Sequence, residues 1–172
     1  MLKKVLLVIG ILLIGFFVYV GILWAKDVWP IKDTILKNDG IGKLSIGMDE
    51  SHIRHYYPDF FIAQEGKNNV YYYNDKNSFV VTAENKKVVC IELVNEVPNQ
   101  NFSTEKNIKL GSTFKEVTAA YGENYRTKST ERYGDVLEYQ DSNTNQKLVI
   151  GLFNDKVSLM IFYNYEKFDY PF

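Results

Sequence analysis

The hydrophobic pattern opens with an uncharged run, Val5 to Ala25, that follows Lys3 and Lys4. About 20 apolar residues in a helix cross a hydrocarbon core about 30 Å thick. Trp24 lies at the far end of the run, where an amphipathic ring suits the lipid boundary. Residues 1–25 are therefore predicted to form a transmembrane anchor, with the membrane lipid bilayer as its partner.

The charges around this run predict its orientation. Under the positive-inside rule, the two lysines keep the short N-terminus in the cytoplasm, and the C-terminal domain lies outside a cell membrane crossed once. The alternative is a cleaved signal peptide, whose apolar core is usually about 7–15 residues long and is followed by a small-x-small site. Bulky residues at positions 22–24 precede the only candidate site at Ala25, which favours an uncleaved signal anchor.

Beyond the run, two stretches of the chain share one pattern of apolar and polar positions. Each begins with a segment typical of a short helix, and these helices are predicted to end at Pro58 and Gly122. Asp49 and Thr113 are suitable N-cap residues, and Thr113 with Glu116 makes a capping box. The aligned segments are 46–58 with 110–122, and 85–95 with 154–164.

Three β-rich runs follow each predicted helix, separated by short polar connections. Such connections are typical of antiparallel hairpins. Because about 50 residues bury too little apolar surface alone, both repeats should share one sheet or one core. The predicted strands are 70–73, 78–83 and 87–94 in the first repeat, and 135–139, 147–153 and 156–163 in the second.

The pattern as a whole predicts an α+β fold. An N-terminal transmembrane helix is followed by two helix–β-meander repeats with an antiparallel sheet. Pro30, Ile31 and Ile35 predict a further short helix over residues 30–37. The predicted segments are an anchor (1–25), a juxtamembrane helix and linker (26–43), the first repeat (44–95), a linker (96–107), and the second repeat with an aromatic tail (108–172).

The repeated pattern resembles a family of small envelope modules, the SmpA/OmlA-like and β-lactamase-inhibitor-protein-like units. The tandem arrangement is also similar to the domain that precedes the CAP domain in some Gram-positive surface proteins. The resemblance implies helices packed on an antiparallel sheet, and binding of another protein instead of catalysis. The matching residues are Gly47, Met48, Ile53, Tyr57 and Pro58 in the first repeat, and Gly111, Val117, Tyr121 and Gly122 in the second.

The only histidines, His52 and His55, lie three residues apart on the first predicted helix. This spacing could place two imidazoles beside a metal, with Asp49 or Glu50 nearby. His55 points away from the apolar face of that helix, which favours a solvated surface residue. Hydrolase and phosphate-loop motifs are absent from the sequence. We therefore predict a protein with no enzymatic activity, cofactor or metal; the alternative is a membrane-tethered hydrolase or metal-dependent enzyme that uses His52 and His55.

Charge and cysteine content further limit the range of possible functions. The sequence has 20 Lys and Arg against 21 Asp and Glu, for a net charge of −1. No basic field is available to hold nucleic acid, so a nucleic-acid partner is not expected. Cys90 is the single cysteine and lies in a β-rich run, where cysteine usually behaves as a small buried hydrophobe.

The alternation within the third strand of each repeat predicts where a partner binds. Successive residues point to opposite faces of a sheet, and the set that contains Ile91 and Met160 lacks charge. That set is predicted to face the helices, which leaves the other face for a partner. The predicted function is a membrane-anchored, extracytoplasmic protein-binding module of the cell envelope, with another envelope protein as partner. The predicted contact residues are Glu92, Val94, Ile161 and Tyr163.

Overall fold

A computed structural model describes residues 12–21, 32–65, 69–74, 78–94 and 102–170. The chain divides into two units, Met1–Pro30 and Ile31–Phe172. In the first unit the described residues, 12–21, are helical.

The predicted transmembrane anchor is corrected by this structure. Among the described residues, no helix combines the length and the apolarity that a membrane crossing requires. The prediction of a membrane-spanning signal anchor is therefore wrong, and so is the single-pass cell-membrane location that was deduced from it. The parts of that prediction at residues 1–11 and 22–25 lie outside the described residues.

The described residues of the Ile31–Phe172 unit form two small strands, two short helices and one large sheet. The small strands are β1 (Gly40–Ile41) and β2 (Leu44–Ser45), and the helices are α1 (Ser51–Tyr56) and α2 (Phe114–Tyr121). The eight strands of the large sheet are β3 (Phe61–Glu65), β4 (Asn69–Tyr73), β5 (Phe79–Glu84), β6 (Lys87–Leu93), β7 (Arg126–Thr130), β8 (Gly134–Asp141), β9 (Gln146–Phe153) and β10 (Lys156–Asn164).

All neighbouring strands of the large sheet are antiparallel, in the order β3-β4-β5-β6-β10-β9-β8-β7. The last strands of the two predicted repeats, β6 and β10, pair at the centre, with Met160 opposite Leu93. The expectation that the two repeats share one sheet or one core is confirmed, and it is met by a single sheet. β3 and β7, the first strand after each helix, form the two outer edges.

The predicted α+β class is wrong, because the described residues are mostly β-sheet with few and short helices. Each helix is followed by four strands, whereas the sequence pattern predicted three. The missed strands are the edge strands β3 and β7. The β7 segment, Arg-Thr-Lys-Ser-Thr, is polar throughout, so it carries no apolar alternation from which a strand is predicted.

The second helix begins as its sequence predicts. Thr113 is the N-cap residue, its side chain accepts the Glu116 N–H, and the Glu116 carboxylate accepts the Thr113 N–H. The helix ends at Gly122, which has a φ of 82°. For α1 the N-cap position is Glu50 rather than Asp49, although the Asp49 carboxylate accepts the first helical N–H, that of Ser51.

The helix predicted over residues 30–37 is wrong across its described part, residues 32–37. The Thr34 N–H donates to the carbonyl of Gln140 at 2.7 Å, and the Leu36 N–H donates to the carboxylate of Asp141 at 3.0 Å. Because these N–H groups bond to β8, they are not available for helical bonds. The segment therefore lies along the sheet, with the Leu36 side chain fully buried.

The large sheet separates two apolar clusters. On one face Ile53 of α1 and Val117 of α2 pack with Ile91, Met160 and other strand residues in the main core. The opposite face, which we name the back face, carries the second cluster, including Cys90, Leu159, Ile161 and Tyr163. The predicted phase is confirmed from Cys90 to Leu93 and from Leu159 to Tyr163. It is wrong at Val88 and Val157, which pack in the main core because the register shifts beside them.

Candidate partner-binding surface

The C-terminal tail covers part of the back face. After β10 the chain turns at Asn164, whose carbonyl accepts the N–H of Phe168 at 2.9 Å. The Tyr170 ring packs on Tyr163, with 5.8 Å between the ring centroids. Tyr165 and Phe168 pack against the same cluster. Aromatic side chains of the tail therefore cover the back face over β8, β9 and β10.

The strand register extends this face to the other half of the sheet. Ile161 lies opposite Glu92, Glu92 opposite Val80, Val80 opposite Tyr73 and Tyr73 opposite Phe61. Cross-strand partners point to the same side of a sheet. A single row of side chains therefore runs across the back face from the tail-covered half to the β3 edge.

The outer part of this row is accessible to solvent. Phe61 is 53% exposed, and Tyr73, Val80, Glu92 and Val94 are partly exposed. We name these five residues the open back face. Phe61 and Tyr73 stack with 5.8 Å between the ring centroids and 29° between the ring planes. The two stacked rings together present aromatic area on this face.

Glu92 marks the boundary between the covered and the open halves. Its carboxylate accepts a hydrogen bond from the Tyr133 hydroxyl at 3.0 Å, and that hydroxyl lies 3.2 Å from the hydroxyl of Tyr170. Burial raises the pKa of the Tyr170 phenol, and Tyr133 and the Glu92 charge raise it further. The phenol therefore stays protonated, and the network fixes the tail to β6.

Val94 lies beside a hollow near the turn between β9 and β10. The hollow has a volume of about 500 Å³ and is lined in part by Leu110, Phe153 and Lys156. The Phe153 side chain is 71% exposed. This hollow extends the accessible apolar surface beyond the five residues of the open back face.

The four predicted contact residues thus differ in exposure, because the tail covers only part of the back face. Ile161 and Tyr163 are buried, whereas Glu92 and Val94 are partly exposed. Whether any of the four contacts a partner stays a prediction. Sequence reasoning missed Phe61, because β3 was not predicted. The signal available was the apolar run that begins at Phe60, directly after the helix stop at Pro58.

The two histidines lie apart from this surface. His52 and His55 are exposed and, with Ser51 and Tyr56, line an open hollow on α1. In the described part of the chain, no three His, Cys, Asp or Glu side chains are grouped as a metal site requires.

His55→Ala is expected to change the free energy of unfolding by about 0.5 kcal/mol or less, because the side chain is solvated. Its ring is exposed and makes an edge contact with Tyr56, at 5.1 Å between centroids. Urea denaturation of the wild type and the variant measures the difference, with His52→Ala as the matched control. A loss above about 1 kcal/mol for His55→Ala alone would mean that this side chain has a structural role.

Cys90 is buried, which confirms the sequence prediction. Burial raises the pKa of its thiol well above the ordinary value, and the neighbouring Glu92 carboxylate acts in the same direction. A thiol in this environment is protonated at neutral pH and is a poor nucleophile. It packs with Leu159 and Ile161 beneath the tail.

Comparison with known proteins gives weak structural similarity. No protein-family model and no curated protein matches the chain. A cysteine-rich secretory protein from Staphylococcus aureus is 11% identical, with a TM-score of 0.47 over 71% of this chain and 45% of that one. An extracellular protein with an SCP domain from Bacillus anthracis is 11% identical, with a TM-score of 0.44 over 80% and 48%. This chain spans less than half the length of each, and its reported structural neighbours are SCP/CAP-domain proteins.

Proposed function

We propose that this chain is a non-catalytic protein-binding domain and that the open back face receives another protein. The observation that carries the proposal is the unequal cover of one continuous sheet face. Ile161 and Tyr163 are buried beneath the tail, while the row that continues from Ile161 ends in the partly exposed ring of Tyr73 and the exposed ring of Phe61. Aromatic side chains with few rotors supply much of the binding energy of protein interfaces.

The chemistry of the surface supports the same function. A contiguous apolar patch bordered by polar groups is typical of an interaction site. Phe61, Tyr73 and Val80 form the apolar part here, and the Glu92 carboxylate borders it. The resemblance of the two repeats to SmpA/OmlA-like and β-lactamase-inhibitor-protein-like modules is part of this proposal, since it implies protein binding.

A pull-down with the full chain tests the proposal. The double variant Phe61→Ser, Tyr73→Ser is expected to lose proteins that the wild type captures, because each lost aromatic anchor costs about tenfold or more in affinity. Ile35→Ser is the matched control, because Ile35 is an apolar side chain that is 78% exposed and lies outside the large sheet.

Thermal unfolding must first establish that both variants are folded. If the double variant captures the same proteins as the wild type and the control, the open back face is not the binding surface. Loss of the same proteins from Ile35→Ser would also count against the proposal, since it would indicate nonspecific adhesion to exposed apolar side chains.

A further inference from the structure

The two edges of the large sheet are not equivalent. The β7 edge carries the basic residues Arg126 and Lys128. The β3 edge presents Phe61, 53% exposed, and Ile62, 45% exposed, followed by the exposed Ala63. Natural sheets commonly protect their edges with charged side chains, especially lysine, because an apolar edge pairs readily with another strand. The exposed residues Phe61, Ile62 and Ala63 of β3 carry no charge, in contrast to this basic pair on β7.

The hydrogen-bond ladder shows which backbone groups of β3 face outward. The Asn74 N–H donates to the Phe79 carbonyl of β5. The backbone groups of Asn74, and of Tyr72 two positions earlier, therefore bond toward β5. Bonding alternates along an antiparallel strand, which leaves Tyr73 to bond toward β3. Its register partner is Phe61. The N–H and the carbonyl of the next residue, Ile62, therefore point away from β4, where the described residues place no strand.

We infer that β3 binds an extended segment of the partner protein as an additional antiparallel or parallel strand. This inference rests on the proposed function and specifies how the partner binds. An added strand would gain main-chain hydrogen bonds at Ile62 and place alternate side chains on each face of the sheet. Those on the back face would lie beside Phe61 and Tyr73, so the edge and the open back face form one continuous site.

The dimensions of the edge favour an extended segment over a second copy of this chain. Five residues of β3 span about 17 Å at about 3.4 Å per residue. Pairing of two such edges alone is too short to bury the roughly 1,200–2,000 Å² of a stable interface. An extended segment can combine pairing at β3 with contacts across Phe61, Tyr73 and Val80. The segment should have apolar residues at alternate positions.

The test uses a phage-displayed library of random 12-residue peptides on the immobilised full chain. We expect enriched peptides with alternating apolar residues, and one such peptide is then synthesised for affinity measurements. Ile62→Pro removes an outward N–H but no bond to β4, and should weaken binding at least tenfold. Ile62→Ala, the matched control, keeps the N–H and should weaken binding about threefold or less.

Hydrogen exchange provides a second measurement that does not depend on the proline variant folding. The Ile62 amide of the wild type should exchange at least tenfold more slowly when the synthetic peptide is bound. Any one of three results would overturn the proposal of an added strand. They are no enrichment of any peptide, unchanged exchange at Ile62, and equal affinities of Ile62→Pro and Ile62→Ala for the peptide. Concentration-dependent self-association that Ile62→Pro abolishes would overturn the choice of occupant.

Failure of this inference is distinguishable from failure of the proposed function. If Phe61→Ser, Tyr73→Ser loses the peptide while Ile62→Pro binds it as Ile62→Ala does, the open back face is a binding surface and the added strand is wrong. If the double variant also binds the peptide normally and keeps every captured protein, the proposed function is wrong as well.

Discussion

Val117→Asp is expected to unfold the Ile31–Phe172 unit. Val117 is 0% exposed and packs in the main core between α2 and the sheet. An isolated carboxylate at this position would have no partner, and its burial costs several kcal/mol against a total stability of roughly 5–15 kcal/mol. Circular dichroism during urea and thermal denaturation measures the loss.

The control for this variant is Ala119→Asp, on the same helix but at an exposed position. It introduces the same carboxylate into solvent and should change stability by about 0.5 kcal/mol or less. If Ala119→Asp were the more damaging change, the helix face assigned to the core would be incorrect.

Asp39→Ala is expected to produce the second large loss of stability. The buried carboxylate accepts hydrogen bonds from the N–H of Gly40 at 2.8 Å, the N–H of Glu105 at 3.0 Å and the hydroxyl of Tyr121 at 2.7 Å. Hydrogen bonds to a charged group contribute about 1.5–3 kcal/mol each, and truncation leaves three donors without this acceptor. A loss of about 3 kcal/mol or more in urea denaturation is expected.

Asp33→Ala is the matched control for Asp39→Ala. The Asp33 carboxylate also accepts hydrogen bonds, from the Ser142 N–H and hydroxyl, but it is exposed. Water can replace these bonds, so the expected loss is about 1 kcal/mol or less. Equal losses for the two variants would mean that burial of the Asp39 network adds no stability.

Local patterns in the sequence predicted the parts of the fold that local interactions determine. The capping box at Thr113 and Glu116 involves residues three apart, and the central strands are long apolar runs in which Glu92 is the one charged residue between Val88 and Leu93. Residues 32–37 were predicted incorrectly, because their bonding partners, Gln140 and Asp141, are over 100 residues away in sequence. The local sequence favours a helix at these residues, but hydrogen bonds to β8 hold the segment in a non-helical conformation.

The candidate surface was predictable only in part for the same reason. Alternation located the back face and its boundary residue Glu92. The burial of Tyr163 depends on a reversal of the chain at Asn164 that places Tyr170 over it, and no pattern within the strand contains that information. The exposed edge at Phe61 was missed because β3 was not predicted, although the apolar run that begins at Phe60, directly after the helix stop at Pro58, was an available signal.

The eight-stranded order also determines the geometry that a partner must match. Adjacent strands are rotated by about 20–25° relative to one another, so the seven steps from β3 to β7 accumulate roughly 140–175° of twist. A sheet with this twist is expected to present a saddle-shaped back face, with its β3 end turned away from the tail-covered end. A rigid, flat protein surface can contact only a narrow band of such a saddle, whereas a flexible chain can follow its curvature strand by strand.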